Sequence, residues 1–337
     1  MNLSDINNPV SINPIIKSVV VLLLHSLISS VAQPIDIGSR RELFTDDHII
    51  QKLEGEIALR LHQPQPREIA IMHDASWEGT GSGYHSVFKD GDLYRMYYKA
   101  WHIDTSKGEL DTNRHPLFCC YAESNDGITW RKPDLGLHEF EGSKKNNISI
   151  ISETVGELNV DAGHPAVFRD GNPNAAGDAR YKAILRSKEP NGLIVYKSPD
   201  GLSWSPLLNN PILRLKGAFD SQNLAFWDPT IRRYRAYWRI FTEGTVTDDE
   251  WNPKGIRAIR TGVSDDLEEW EKLIDLTYED SPPQQLYTNG VLSYPRAPHI
   301  LIGFPTRYVE RENTEAMKAL PDPEDREIRA VASPRYG

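Results

Sequence analysis

Ser124-Asn-Asp-Gly-Ile-Thr-Trp130, Ser198-Pro-Asp-Gly-Leu-Ser-Trp204 and Ser264-Asp-Asp-Leu-Glu-Glu-Trp270 are one phrase written three times. Each follows an apolar or alternating run of the kind that forms strands: Leu117–Glu123, Gly192–Lys197 and Ile256–Val263. Asp and Gly supply a turn between strands, and the Trp packs between neighbouring units. The tryptophans recur at roughly 70 residues, longer than the repeats of helical solenoids and suited to a four-stranded propeller blade with long loops.

Working outward, the strands of each repeat can be counted. The first offers Tyr84–Lys89, an Asp90-Gly91 turn, then Leu93–Ala100, Phe118–Glu123 and Ile128–Arg131. The second offers Pro165–Arg169, Tyr181–Ser187, Leu193–Lys197 and Leu202–Ser205. The third offers Asn223–Trp227, a turn through Asp228-Pro229, then Tyr234–Ile240, Ile256–Val263 and Trp270–Leu273. A fourth begins with Gly290–Tyr294, Ile300–Pro305 and Ile328–Ala332. Ser333-Pro-Arg-Tyr-Gly337 then falls where the other repeats place their turn, so about four blades are expected, the last incomplete and the chain truncated there. Glu42–Ile50 reads as an N-terminal strand that would close a ring against a missing final blade.

The chain has 337 residues, 39% of them hydrophobic, enough to bury a large core. Its net charge of -10 argues against a nucleic-acid partner and suits a neutral or cationic ligand. Ser18–Ala32 is an apolar run preceded by Lys17 and ending in a small-x-small pattern before Gln33. It is too short for a comfortable membrane span and has signal-peptide anatomy. The expected organisation is therefore a signal peptide over 1–32, cleaved after Ala32, and a propeller domain over 33–337, secreted or periplasmic with no stable membrane span. Cys119 and Cys120 are adjacent, so they read as small strand hydrophobes rather than a disulfide or metal pair.

On these features the chain resembles the five-bladed β-propeller glycoside hydrolases of families 32, 43 and 68. The resemblance runs from about Arg41 to the end and rests on the blade period, the three turns and the Tyr84–Tyr98 and Phe219–Trp238 hairpins. Exported bacterial relatives of family 32 look closest, in Glu42–Ile50 and Leu286-Tyr-Thr-Asn289. The resemblance implies an all-β fold and carboxylates at the heads of inner strands around a central pocket. An oxocarbenium-like transition state wants a nearby anion, and the leaving oxygen wants a proton.

Asp220 heads the third repeat, where the family's orienting Asp would sit. Asp74 and Glu78 precede the first repeat in His73-Asp-Ala-Ser-Trp-Glu-Gly79, and Asp161 precedes the second in Asn159-Val-Asp-Ala-Gly-His164. Asp46 and Asp47 sit side by side in the expected N-terminal strand, so one of them, Asp47 in the catalytic set, would face inward. Each of these has a competing reading as a turn, cap or solvated charge. Sugar-contact candidates are Trp77, Tyr84, His85, Trp101, Tyr287 and Asn289, with a core role as the competing reading for each aromatic. The fourth repeat departs from the family: Gln284-Gln285 stands where family 32 has its proton-donating Glu, leaving Glu279 as the nearest carboxylate.

Scattered His residues without ligand spacing give no metal site, and no cofactor is expected. The expected partner is an oligo- or polysaccharide and the expected reaction glycoside hydrolysis. The alternatives are a non-catalytic propeller that binds carbohydrate or protein, or an inactive truncated remnant.

Overall fold

A computed structural model describes residues 34–214, 217–247, 250–278, 281–311 and 314–332. The expected signal peptide, Glu279 and the terminal Ser333–Gly337 lie outside the described residues. The chain divides into two compact units, with the boundary between Gln63 and Pro64.

In the first unit the described residues form turns and bends, not strands. The expected strand over Glu42–Ile50 is therefore corrected. The Asp46 carboxylate accepts the His48 amide at 3.0 Å, and the Ile50 amide donates to the Asp47 carbonyl at 2.9 Å. Asp side chains that bond the backbone two residues on compete with an extended chain, and here local turn chemistry overrides the apolar pattern.

The second unit is built from antiparallel sheets whose strands follow sequence order. The first holds β1 (Gly81–Asp90), β2 (Leu93–Trp101), β3 (Phe118–Ser124) and β4 (Ile148–Ile151). The second holds β5 (Thr154–Val155), β6 (Leu158–Arg169), β7 (Tyr181–Lys188), β8 (Asn191–Ser198) and β9 (Ser205–Pro206). The third holds β10 (Leu224–Asp228), β11 (Arg233–Val246), β12 (Trp251–Ser264) and β13 (Glu271–Asp275). Two short ribbons follow, one pairing β14 (Gln285–Leu286) with β17 (Arg307–Tyr308), the other β15 (Leu292–Tyr294) with β16 (Ala297–Ile302). Last come two helices, α1 (Glu315–Lys318) and α2 (Pro323–Ala332).

Successive up-and-down sheets that pack face to face make this an all-β, propeller-type fold. One core joins Tyr97 and Tyr121 of the first sheet to Leu185 and Ile194 of the second; another joins Phe168 and Ile184 of the second to Phe226 and Trp238 of the third.

Two expected strands are corrected. The outer strand of the first blade is β4, not Ile128–Arg131, because after the turn only Arg131 returns, to a single bridge with Glu123. Ile328–Ala332 belongs to α2. Pro323 in the first turn, followed by Glu324 and Asp325, fits a helix start and outweighs a short apolar stretch that periodicity alone leaves ambiguous.

The repeated turn is the same object each time. Ser124 Oγ accepts the Gly127 amide at 2.9 Å, and Asp126 Oδ1 accepts the Ile128 and Thr129 amides at 2.8 Å each. Ser198 and Asp200 do this for Gly201, Leu202 and Ser203; Ser264 and Asp266 do it for Leu267, Glu268 and Glu269. The turns also dock blades together: Tyr97 donates to the Gly201 carbonyl at 2.8 Å, and Trp204 Nε1 donates to Ser149 Oγ at 3.0 Å. Among the described residues no helix is long and apolar enough to cross a membrane.

Candidate functional site

The inner ends of the blades converge. Gln222, just before β10, donates through Nε2 to the carbonyls of Tyr84 on β1 (2.9 Å) and Pro165 on β6 (3.1 Å), tying three blades together. Around that knot stand Tyr84, Lys99 of β2, Asp161 and His164 of β6, Asp220, Arg239 of β11 and Tyr287. Of these, Tyr84, Lys99 and Tyr287 line a cleft of about 660 Å³, together with Gln222, His85 and Trp101, while Asp161, His164, Asp220 and Arg239 stand behind its wall. That volume suits a small ligand.

Tyr84 reaches its place through a distortion. Pairing of β1 with β2 slips between Gly83 and Ser86, and Tyr84 takes φ 54° in the left-handed region. A bulge of this kind re-aims a side chain, and a bulky residue holds such a backbone only where its surroundings fix it. Burial and the neighbouring Tyr287 hydroxyl push the Tyr84 phenol well above its ordinary range.

The carboxylates differ sharply in environment. Asp161 is 1% exposed; its Oδ1 accepts the Gly163 amide at 2.8 Å and its Oδ2 faces His164 Nδ1 at 3.0 Å. Burial alone would raise its pKa, but the His164 and Gly163 hydrogen bonds bring it below the usual carboxylate range. The Asp220 side chain is 40% exposed and is ion-paired with the buried guanidinium of Arg239. Tyr287 donates its hydroxyl to the Asp220 carbonyl at 3.3 Å. Lys99 lies in the field of both Asp161 and Asp220; burial lowers its pKa against their pull.

Glu78 has no solvent exposure. It accepts from Tyr98 (2.5 Å), Lys132 (2.7 Å) and the Ala75 amide (2.9 Å), with His73 Nδ1 at 3.4 Å. Burial opposes ionisation, yet the His73, Lys132, Tyr98 and Ala75 contacts together hold its pKa at about 2. Asp74 is an exposed partner of the same Lys132, at 3.0 Å. Asp47 belongs to the first compact unit.

Among the sugar-contact candidates, Tyr84, His85, Trp101 and Tyr287 line the cleft. Trp77 instead donates Nε1 to Asn147 at 2.6 Å and packs on the first blade's core. Asn289 is 2% exposed, with Nδ2 on the Tyr237 carbonyl at 3.3 Å. His85 stacks on Tyr98 and meets His73 nitrogen to nitrogen at 3.0 Å. Gln285 Oε1 is occupied by Arg257 Nη1 at 2.7 Å.

Sequence reading missed Lys99, Gln222 and Arg239. The available signal was a charge inside an aromatic strand, Tyr97-Tyr-Lys-Ala-Trp101 and Tyr237-Trp-Arg-Ile240, since an interior cation needs a purpose. Among the described residues no group of three or more His, Cys, Asp or Glu is arranged to hold a metal. Both cysteines are free and buried, with thiols pushed up by that burial.

No family model matches the sequence, and no curated protein matches it either. Solved structures similar to the chain include propeller-type glycoside hydrolases. A fructofuranosidase from Schwanniomyces occidentalis, complexed with fructosylnystose, is 18% identical over 62% of this chain and 39% of its own, at a TM-score of 0.37. A family 117 glycoside hydrolase from the marine bacterium Zobellia galactanivorans is 11% identical over 68% and 64%, at 0.41. A thermostable family 43 glycoside hydrolase is 15% identical over 64% and 62%, at 0.37. The chain thus spans less than two thirds of the length of each.

Proposed function

We propose that this protein is an exported, carbohydrate-active propeller that receives a glycan in the central cleft and hydrolyses a glycosidic bond with head-of-strand carboxylates. One observation carries the reading: Tyr84, Lys99 and Trp101 of the first blade, Gln222 of the third and Tyr287 line one cleft of about 660 Å³, with Asp161 and Asp220 close enough to act on Lys99. Aromatic faces suit the C–H surfaces of sugar rings, and oriented polar groups suit their hydroxyls.

Asp220 is the carboxylate in a position to touch substrate, since its side chain is partly exposed while Asp161 and Glu78 are enclosed. Arg239 holds it in place, and Asp161 supplies a fixed negative charge behind Lys99. Such preorganised charge stabilises a developing oxocarbenium ion more than mobile charge in water does. Asp74, exposed beside Lys132, has a lesser part. Export rests on the Ser18–Ala32 run.

A second reading, binding without hydrolysis, is favoured by the fourth blade. Gln285 is an amide engaged by Arg257, and an amide cannot supply the proton that the leaving oxygen needs.

Asp220→Asn separates these readings. A hydrolase predicts loss of reducing-end release across a glycan panel with the melting temperature nearly unchanged. Retardation of wild type by a polysaccharide in affinity electrophoresis, with no reducing ends formed, assigns binding instead. A drop in melting temperature with turnover per folded molecule preserved would reduce Asp220 to a structural cap.

A further inference from the structure

We propose that the cleft selects a glycan carrying an anionic group, a uronate carboxylate or a sulfate ester, held by Lys99 and Arg329. This deepens the carbohydrate reading above and rests on it.

The whole chain is acidic, at a net charge of -10, yet its central cleft is not. The charged walls are Lys99 and Arg329, with His85 as a further basic group, and no described lining residue is a carboxylate. Two cations on a wall without carboxylates set this cavity apart from the acidic remainder of the chain, and a low-dielectric wall focuses their field on whatever enters.

Among the described residues neither cation makes an ion pair. No described carboxylate lies within ion-pair distance of Lys99, because Asp161 is taken by His164 and Gly163 and Asp220 by Arg239. The Lys99 ammonium instead rests over Trp101, 4.3 Å from the ring centroid, and near Tyr84 at 5.4 Å. Aromatic faces position an ammonium without cancelling its charge. A half-buried cation without a counter-ion is unfavourable, and burial already lowers its pKa. An anion on the ligand supplies the missing partner.

Arg329 reaches the cleft from α2. Thr105, in the loop after β2, donates to the Asp325 carboxylate at 2.5 Å, which fastens this helix beside the first blade. From its last turn Arg329 joins the cleft wall. A guanidinium matches carboxylate and sulfate oxygens with two parallel hydrogen bonds, whereas an ammonium acts as a point charge. One fork and one point charge across a cavity suit a single planar or tetrahedral anion on a sugar ring.

The test is calorimetric titration of the full chain with two matched pairs: an oligogalacturonide against its methyl ester, and a sulfated carrageenan oligosaccharide against its desulfated form. The expected result is that a charged member binds about tenfold or more tighter than its neutral twin at low salt, with the gap narrowing as salt is added. The pair that shows the gap identifies carboxylate or sulfate. Lys99→Met and Arg329→Gln should each remove most of the advantage, while Lys144→Gln, an exposed change that does not line the cleft, leaves it intact. Arg329 is exposed on a helix, so its variant keeps the test decisive even if Lys99→Met folds poorly. Equal binding of charged and neutral twins overturns anion selection and leaves the carbohydrate reading standing. A charge preference that survives both variants overturns the assignment to Lys99 and Arg329. Binding of neither pair, nor of any neutral glycan in a panel, removes both readings together.

Discussion

The Glu78 carboxylate is fully enclosed and meets Tyr98, Lys132, the Ala75 amide and His73, while Asp220, a similar acid, keeps 40% of its side chain in contact with solvent. Environment therefore separates them: Glu78 ties the segment that leads into β1 to Tyr98 and Lys132, and Asp220 keeps an accessible carboxylate. With a folded pKa of about 2 against an ordinary 4.5, Glu78 binds its proton less readily folded than unfolded. The stability it contributes is complete above about pH 4.5 and is lost as pH falls toward 2, a loss of about 3 kcal/mol. Urea melts across that range should show the decline, and Glu78→Gln should start lower at pH 7 and have a flatter slope. An unchanged slope in the variant would mean that other carboxylates carry the acid sensitivity. Sequence showed an acid beside Trp77 but not its fate, because its partners Tyr98 and Lys132 come from distant parts of the chain.

At the scale of elements, the repeated turn was readable because its chemistry is local: Ser and Asp bond amides two or three residues on. Its third copy breaks the pattern instructively. Gly127 and Gly201 occupy the left-handed position at φ 77° and 80°, and Leu267 takes the same position at φ 75°. A Cβ at Gly201 would meet the Tyr97 hydroxyl at 2.7 Å, so glycine is needed there for space as well as conformation. Leu267, 1% exposed, is instead packed into the core between the second and third sheets. A left-handed leucine costs roughly 1–2 kcal/mol, whereas removing a buried leucine side chain costs about 2–5 kcal/mol. Leu267→Gly should thus destabilise the protein by about 1–3 kcal/mol in urea unfolding, because packing outweighs strain. A gain in stability would show that the backbone term dominates. Less was readable where an element depends on its partners. The bulge that turns Tyr84 toward the cleft follows from the β1–β2 register, and Glu42–Ile50 lost its strand to the Asp46 side chain.

Across the whole propeller unit, the blades are joined by a second repeat that the sequence concealed. Asp90, ending β1, accepts the Tyr181 hydroxyl of β7 at 2.5 Å; Asp170, just after β6, accepts the Tyr234 hydroxyl of β11 at 2.7 Å. Each lock joins the tip of one blade to an interior strand of the next, some 64 to 91 residues away, so no local pattern announces it. Asp228, ending β10, breaks the series by pairing with Arg235 of its own blade at 3.0 Å. The Asp170 side chain has no solvent exposure and also holds Lys182, so its lone pairs cannot turn to water when a partner is lost. Tyr234→Phe keeps the ring in the core and removes only the hydroxyl. It should destabilise the unit by about 1.5–3 kcal/mol, the range for hydrogen bonds to charged groups. The same variant should speed proteolysis between the second and third blades more than elsewhere, because the lock resists their separation. Tyr181→Phe should act in the same direction but more weakly, since Asp90 retains three cations, Arg95, Arg169 and Arg180, where Asp170 retains Lys182. Comparing both variants with the double mutant tests whether the locks act independently. If Tyr234→Phe melts like wild type, the apolar core between the sheets holds the blades together without the Asp–Tyr pairs.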